Sequence, residues 1–187
     1  MSLDIGTGDG RAVYERAQRE ASRFFIGLDP APGIEYSRRA GRKPAKGGVA
    51  NALFAVGSVE SPPAELAGVA GELTVLFPWG TLLRAFALPD VDALRNVRRL
   101  CRDGASLEVV LSYAERDRGE LARLGLPGLS QAHLEGALTR GYRDAGFRVA
   151  SVETLTRDEL RALPSTWAKR LAFGRPREAW RVRAVAG

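Results

Sequence analysis

Among 187 residues there is one cysteine, Cys101, and one histidine, His133. A single thiol excludes an intramolecular disulfide and a cysteine-based zinc centre, and with one imidazole the His/Cys metal clusters go too, so no metal is expected. No run of eighteen apolar residues occurs, so neither a membrane span nor a membrane partner is expected. The N-terminus lacks the basic, apolar and small-residue zones of a signal peptide, and residence in the cytoplasm follows as the default. Lysine is scarce as well. Lys43, Lys46 and Lys169 are the only three, and the other basic residues are arginines.

Basic residues nevertheless outnumber acidic ones by 28 to 22, a net charge of +6. The planar fork of arginine suits phosphate, so the balance suggests a polyanionic partner. An arginine- and alanine-rich composition is equally what a GC-rich genome produces, so charge alone leaves both readings open. With 45% apolar and 27% charged residues, the chain fits one soluble domain over residues 1–187 with a proper core.

Hydrophobic patterning predicts alternating strands and helices. Strands are expected at Leu3–Ile5, Phe24–Leu28, Leu53–Val56, Leu73–Phe77 and Leu107–Ser112. Helices are expected at Arg11–Arg23, Pro32–Arg42 and Val91–Cys101. This spacing implies a parallel sheet with helices on both faces. Glu115–Arg123 reads as an exposed charged linker. Gln131–Ala145 reads as a helix closed by Gly146. Phe147–Val152 and Trp180–Val185 read as a closing antiparallel pair with no clean helix between them.

Three motifs carry chemistry. The first, Asp4-Ile5-Gly6-Thr7-Gly8-Asp9-Gly10, follows a strand and opens a helix. Gly6 and Gly8 let the backbone turn tightly and approach a ligand. Asp29, about twenty residues on at the end of the second strand, is placed to accept both ribose hydroxyls of a nucleoside. The arrangement resembles the cofactor loop of class I methyltransferases more than a G-x-G-x-x-G turn, and Asp4 would pair with the ammonium group of S-adenosylmethionine. The plain alternative is a structural turn with Asp9 as helix N-cap.

The second motif is Leu76-Phe77-Pro78-Trp79-Gly80-Thr81, after the fourth strand. Phe77, Pro78 and Trp79 offer no side-chain acceptor for an exocyclic amine. A ring nitrogen such as adenine N1 carries its own lone pair and needs alignment rather than a base. The cationic product suits an aromatic face. In the third motif Trp167 stands among Lys169, Arg170, Arg175 and Arg177, the combination that stacks a splayed-out nucleotide and grips its phosphates. Arg38, Arg39, Arg42, Lys43 and Lys46 form another basic cluster. Solvated charge is the plain reading of both basic stretches, and a core position that of Trp79.

Together these stretches resemble the aminoglycoside-resistance 16S rRNA (adenine-N1) methyltransferases of the kanamycin–apramycin type. The matching segments are DIGTGDG at 4–10, GLDP at 27–30, KPAKGG at 43–48, LFPWGTLL at 76–83 and STWAKRLAFGR at 165–175. The resemblance implies a Rossmann-like class I methyltransferase fold, α/β, with a mostly parallel seven-stranded sheet and an antiparallel C-terminal strand. It implies S-adenosylmethionine-dependent methylation of N1 of adenosine 1408, in 16S rRNA helix 44 of the 30S subunit, by a monomer. Asp4, Gly6, Asp29, Pro30, Val59, Glu60, Leu76, Thr81 and Ser165 match cofactor-contacting positions, Glu60 at the place that meets adenine. Trp79 and Trp167 match the pair that holds the flipped base. Arg170, Arg175 and Arg177 match basic residues needed for function, and Lys43 and Lys46 a docking patch.

Two departures accompany the match. Family members carry a longer N-terminus with a β-hairpin, so a shortened first strand is expected, with less stability and weaker docking. The segment Ala114–Leu126 mixes Arg116, Arg118 and Arg123 with Glu115, Asp117 and Glu120, where relatives are basic. Two other readings stay open. A small-molecule methyltransferase would use the glycine loop and Asp29 but leave Trp167, Lys169 and Arg170 idle. A truncated homologue would bind cofactor or RNA without turnover.

Overall fold

The computed structural model describes residues 1–31, 33–113, 118–173 and 178–187, with the backbone alone at Ile34, Arg118 and Glu120. Seven strands form one sheet: β1 (Ser2–Ile5), β2 (Phe25–Asp29), β3 (Ala52–Val56), β4 (Ala70–Leu76), β5 (Cys101–Leu111), β6 (Phe147–Thr154) and β7 (Trp180–Ala186). Their order is β3-β2-β1-β4-β5-β7-β6. The neighbours from β3 to β5 pair in parallel, and β7 runs antiparallel to both β5 and β6. β1 has four residues, the shortest of these strands, and all four are buried because it lies between β2 and β4.

Alternation along β1 sorts the two faces. Leu3 and Ile5 point into the main core, with Leu73 and Val75 of β4, Leu83 of α3 (Gly80–Ala87), Leu94 and Val97 of α4 (Val91–Leu100), and Leu138 and Tyr142 beyond. On the other face Val13 and Ala17 of α1 (Arg11–Arg19) pack on Phe25. Thus helices cover both faces, as the patterning predicts.

α1 stops short of the expected Arg23. The side-chain amide of Asn51 donates to the carbonyls of Ala17, Glu20 and Arg23 at 3.1, 3.1 and 2.8 Å, turning the chain toward β2. α2 spans Ile34–Ala40, inside the expected Pro32–Arg42, and Pro32 itself lies outside the described residues. The stretch from Gln131 is helical as expected, but in three parts: α6 (Gln131–His133), a π-helical turn (Leu134–Leu138) and α7 (Thr139–Asp144). Gly146 follows at φ +90°, the left-handed stop that glycine favours.

Two expectations need correction. The segment read as an exposed linker contains α5 (Arg118–Leu124), because Leu121 and Leu124 pack against the main core; residues 114–117 lie outside the described residues. Between β6 and β7 stand two helices, α8 (Arg157–Ala162) and α9 (Thr166–Phe173). A capping box starts α8: Thr156 Oγ1 accepts from Glu159 N at 3.3 Å while Glu159 Oε2 accepts from Thr156 N at 2.9 Å. A small core of Val110, Leu160, Leu163, Ala168, Ala172 and Ala179 seats both helices on the sheet.

Glu72 of β4 ties the sheet to α1 and to the turn before β2 by accepting hydrogen bonds from Arg16 and Arg23. Burial works to raise its carboxyl, but the two guanidinium hydrogen bonds outweigh burial and hold it below its ordinary value. A lowered carboxyl contributes stability that is present above its unfolded value and is lost as the pH falls through the folded one. Glu72→Gln is therefore expected to destabilise the chain by about 1 kcal/mol at neutral pH. Urea titrations should show the deficit vanish at low pH; a deficit that stays constant with pH would contradict it.

Candidate functional site

The sheet order reverses direction at β1, whose neighbours β2 and β4 lead to opposite edges. In open α/β sheets ligands settle outside the carboxyl ends of the strands at such a point. Here a cavity of about 520 Å³ occupies that place. Its floor is the glycine turn after β1, one wall is the end of β2, and the opposite wall is the end of β4 with the start of α9.

The turn is built from left-handed glycines: Gly6, Gly8 and Gly10 have φ of +73°, +56° and +79°. The positive φ at Gly6 strains any side chain, and a Cβ there would sit 2.5 Å from Leu82 Cδ2, so Leu82 would have to shift. Asp29 braces the turn, its Oδ2 accepting from Gly8 N at 3.0 Å and its Oδ1 from Ala31 N at 2.9 Å. Asp9 is not the N-cap residue, which is Gly10; its Oδ1 accepts from Arg11 N at 3.0 Å.

Asp4 lies beneath the turn, buried, opposite Thr74 in the β1–β4 register. Thr74 Oγ1 donates to Asp4 Oδ1 at 2.7 Å. Burial pushes the Asp4 carboxyl above its ordinary value, against the lowering pull of that hydrogen bond. Beside it the buried Thr7 Oγ1 finds no hydrogen-bond partner among the described residues. A buried carboxylate on a cavity wall, in no ion pair among the described residues, is what a polar ligand carrying an ammonium group would complete.

At the end of β4 the chain is strained. Phe77 has φ +53°, the one positive value at a non-glycine among the described residues, and its N donates to Val110 O at 2.9 Å. Such a backbone costs about 1–3 kcal/mol. It turns Pro78 and Trp79 out over the cavity, and Trp79 is 57% exposed. Trp167, 54% exposed, answers it from α9. Both line a second cavity of about 280 Å³ with Phe77, Pro78, Ser112 and Leu171. Tryptophans half in solvent are unusual for core residues. The Ser112 hydroxyl donates to Glu178 O at 2.8 Å, so no free carboxylate, amide or imidazole lines this aromatic cavity among the described residues. The Arg170 guanidinium lies 5.6 Å from the Trp167 ring centroid.

A family model described as NpmA: 16S rRNA (adenine(1408)-N(1))-methyltransferase matches residues 1–186. The chain belongs to this family. One member, the 16S rRNA (adenine(1408)-N(1))-methyltransferase of Escherichia coli, is 39% identical over 97% of this chain and 85% of its own length. Among solved structures, the aminoglycoside resistance methyltransferase NpmB1 is 42% identical with a TM-score of 0.82, covering 100% of this chain and 86% of that one. A tryptophan-to-alanine variant of the enzyme from Catenulisporales acidiphilia, solved with cosubstrate SAM, is 35% identical with a TM-score of 0.88, over 99% of this chain and 84% of that one.

Most residues singled out in the sequence of this family member meet at one place. Asp4, Gly6, Gly8, Asp29, Pro30, Leu76, Thr81 and Ser165 line the larger cavity, and Phe77, Pro78, Trp79 and Trp167 line both. Ser165 also caps α9, its Oγ accepting from Ala168 N at 3.4 Å. Val59 and Glu60 do not line it: Val59 is buried in the main core and Glu60 is exposed, and Asn96 Nδ2 donates to their carbonyls at 3.0 and 3.2 Å. Arg42, Lys43 and Lys46 are exposed on and beside a 3-10 turn, Pro44–Lys46, away from the cavity wall. Lys169 stands 4.0 Å from Glu15, and Arg175 and Arg177 lie outside the described residues. Sequence reasoning passed over Thr7, Thr74 and Thr166, whose signal is only their place beside Asp4 and Asp9. No group of three or more His, Cys, Asp or Glu able to hold a metal occurs among the described residues, and no helix there is long and apolar enough to cross a membrane.

A carboxyl whose folded value is raised gives stability that is full below its unfolded value and is lost as the pH climbs through the raised one. Asp4→Asn removes that loss while keeping an acceptor for Thr74. The ligand-free variant should therefore be more stable than the parent at neutral pH, by about 1–3 kcal/mol, with the gain gone in acid. Denaturant titrations at two pH values decide this; equal stability at neutral pH would refute it.

Proposed function

We propose that this chain transfers a methyl group from S-adenosylmethionine to N1 of adenosine 1408 in 16S rRNA of the 30S subunit, and so confers aminoglycoside resistance. The observation that carries the reading is the pair of half-exposed tryptophans, Trp79 and Trp167, on a cavity that joins the ligand site at the switch point. Family membership supplies the reaction; the two rings supply a place for one flat base.

When bound, the cofactor supplies an electrophilic methyl group on a sulfonium. Asp4 receives its ammonium group, Asp29 its ribose hydroxyls, and Gly6 and Gly8 let it lie against the backbone. Pro30, Leu76, Thr81 and Ser165 wall it in. Trp79 and Trp167 clasp the flipped adenine with N1 toward the methyl group. N1 carries its own lone pair, so methylation there would require no residue to remove a proton, in keeping with a base cavity lined, among the described residues, by no carboxylate, amide or imidazole. The methylated base leaves as a cation, which the indole faces and the strand-end residues Phe77 and Pro78 tolerate.

RNA docks on the exposed turn that carries Arg42, Lys43 and Lys46, and on the basic residues Lys169, Arg170, Arg175 and Arg177 that accompany Trp167 in the sequence. The turn is preformed. Tyr14 Oη donates to Gly47 O at 2.6 Å, and a Cβ on Gly48 would fall 1.6 Å from Arg42 O, so the loop closes only with glycine there. The adenosine lies in helix 44, and the chain acts in the cytoplasm as a monomer without a metal. A small-molecule substrate would leave this turn without a task.

Purified 30S subunits with labelled S-adenosylmethionine test the reading, with primer extension to find the modified nucleotide. A stop at adenosine 1408 is expected, and a stop elsewhere or no incorporation would reject it. Trp79→Ala and Trp167→Ala should each lower methylation by about ten- to a hundredfold while cofactor affinity by calorimetry holds, since stacking contributes about 1–3 kcal/mol per base. Full turnover in either would remove the clasp from the mechanism. Lys43→Ala/Lys46→Ala should weaken 30S binding and lower the slope of log affinity against log salt by about 1–2; an unchanged slope would clear that turn of phosphate contact.

A further inference from the structure

The helix that carries Trp167 meets the protein on three faces. Ala168 and Ala172, four residues apart, are its buried side. Trp167 and Arg170, three apart, line the larger cavity. Thr166 and Lys169, also three apart, turn toward α1 and the glycine loop. Thr166 Oγ1 donates to Asp9 Oδ2 at 3.1 Å, across 157 residues of sequence, while Lys169 Nζ stands 4.0 Å from Glu15 Oε1. Asp9 is itself held firmly. Its other carboxylate oxygen accepts from Arg11 N, and a Cβ on Gly33 would lie 2.6 Å from Asp9 Cα. Just before it, Gly8 N donates to Asp29 Oδ2 at 3.0 Å and Gly8 O accepts from Gly33 N at 2.6 Å. A continuous path therefore runs from the Asp29 carboxylate through Gly8 and Asp9 to Thr166, the residue before Trp167.

We infer that Thr166 is a positioning residue: its hydrogen bond to Asp9 sets Trp167 at the cavity and makes that setting depend on cofactor bound at Asp29. The inference rests on the roles proposed above for Asp29 and Trp167. Asp29 Oδ2, which accepts from Gly8, is one of the two atoms available to ribose hydroxyls. A new donor there shares that oxygen with the Gly8 N–H. The stretch from Gly8 to Arg11 is pinned at both ends, so the adjustment is passed to the Asp9 carboxylate. The Thr166 hydroxyl then carries it to the first turn of α9. The order of events follows: cofactor first sets the aromatic wall, then the base is clasped.

The test uses the full chain with Trp79→Phe and Trp180→Phe, which leaves Trp167 as the only tryptophan. S-adenosylmethionine is titrated while Trp167 emission is followed, and calorimetry reports binding in parallel. The parent should show a saturable emission change. Thr166→Val should lose most of that change with its cofactor affinity within about three-fold of the parent, and Thr166→Ser, which keeps the hydroxyl, should restore it. In the otherwise unaltered chain, Thr166→Val should lower kcat on 30S subunits about ten-fold with little change in KM for the subunit. A full emission change in Thr166→Val, no change in the parent despite binding, or a serine variant as impaired as valine would each overturn the inference. Failure of the parent to bind cofactor at all would overturn the cofactor reading along with it. An emission result as expected beside a Trp167→Ala variant that methylates at the full rate would strike only the base-clasping role.

Discussion

The carboxylate of Asp4 stands at the crossing on which the molecule is organised. It lies on the shortest strand, between β2 and β4, on the sheet face opposite Leu3 and Ile5, in register with Thr74. An ionised group in that position disfavours the ligand-free fold, against the lowering pull of the Thr74 hydroxyl that donates to it. The surrounding sheet makes it tolerable. Parallel pairing with β2 and β4 and a continuous apolar core on the far face supply stability that the site itself does not. The strained Phe77 at the end of β4 belongs to the same pattern, local cost gathered where a ligand is to be held.

Much of this was legible in the chain. Each expected strand exists, because buried strands write themselves as short apolar runs, and the closing pair is antiparallel as expected, although β5 begins at Cys101, six residues ahead of the expected Leu107. The glycine turn, Asp29 and the Phe77-Pro78-Trp79 segment were legible because their chemistry is local: positive φ, a carboxylate at a strand end, a proline and an indole where a core strand would have neither. What escaped was mostly long-range. α9 has alanines on its buried face and polar or aromatic residues elsewhere, so its periodicity is faint, and its hold on Asp9 crosses nearly the whole chain. α8 was missed for a different reason. Its capping box, Thr156 with Glu159, was present in the sequence but was followed by too short an apolar pattern to mark a helix. α5 was hidden by charge, since only Leu121 and Leu124 betray a buried side.

Val59 and Glu60 show the limit of carrying a role by position. Their place after β3 matches, yet the loop turns Val59 into the core and fixes both carbonyls on Asn96 of α4. Any part they take in holding a ligand would fall to the exposed side chain of Glu60, outside the cavity as it stands.

One helix joins the basic loop to the floor of the cavity. α1 begins at the glycine turn, and its fourth residue, Tyr14, holds the loop that presents Lys43 and Lys46 by bonding Gly47. A helix does not stretch, so the span between that basic loop and the floor of the cavity is a fixed length. If RNA rests on the loop, α1 works as a ruler. Which nucleotide reaches the indole rings is then decided by how far it lies from a gripped phosphate along the folded surface, and the identity of the neighbouring bases need not be read at all.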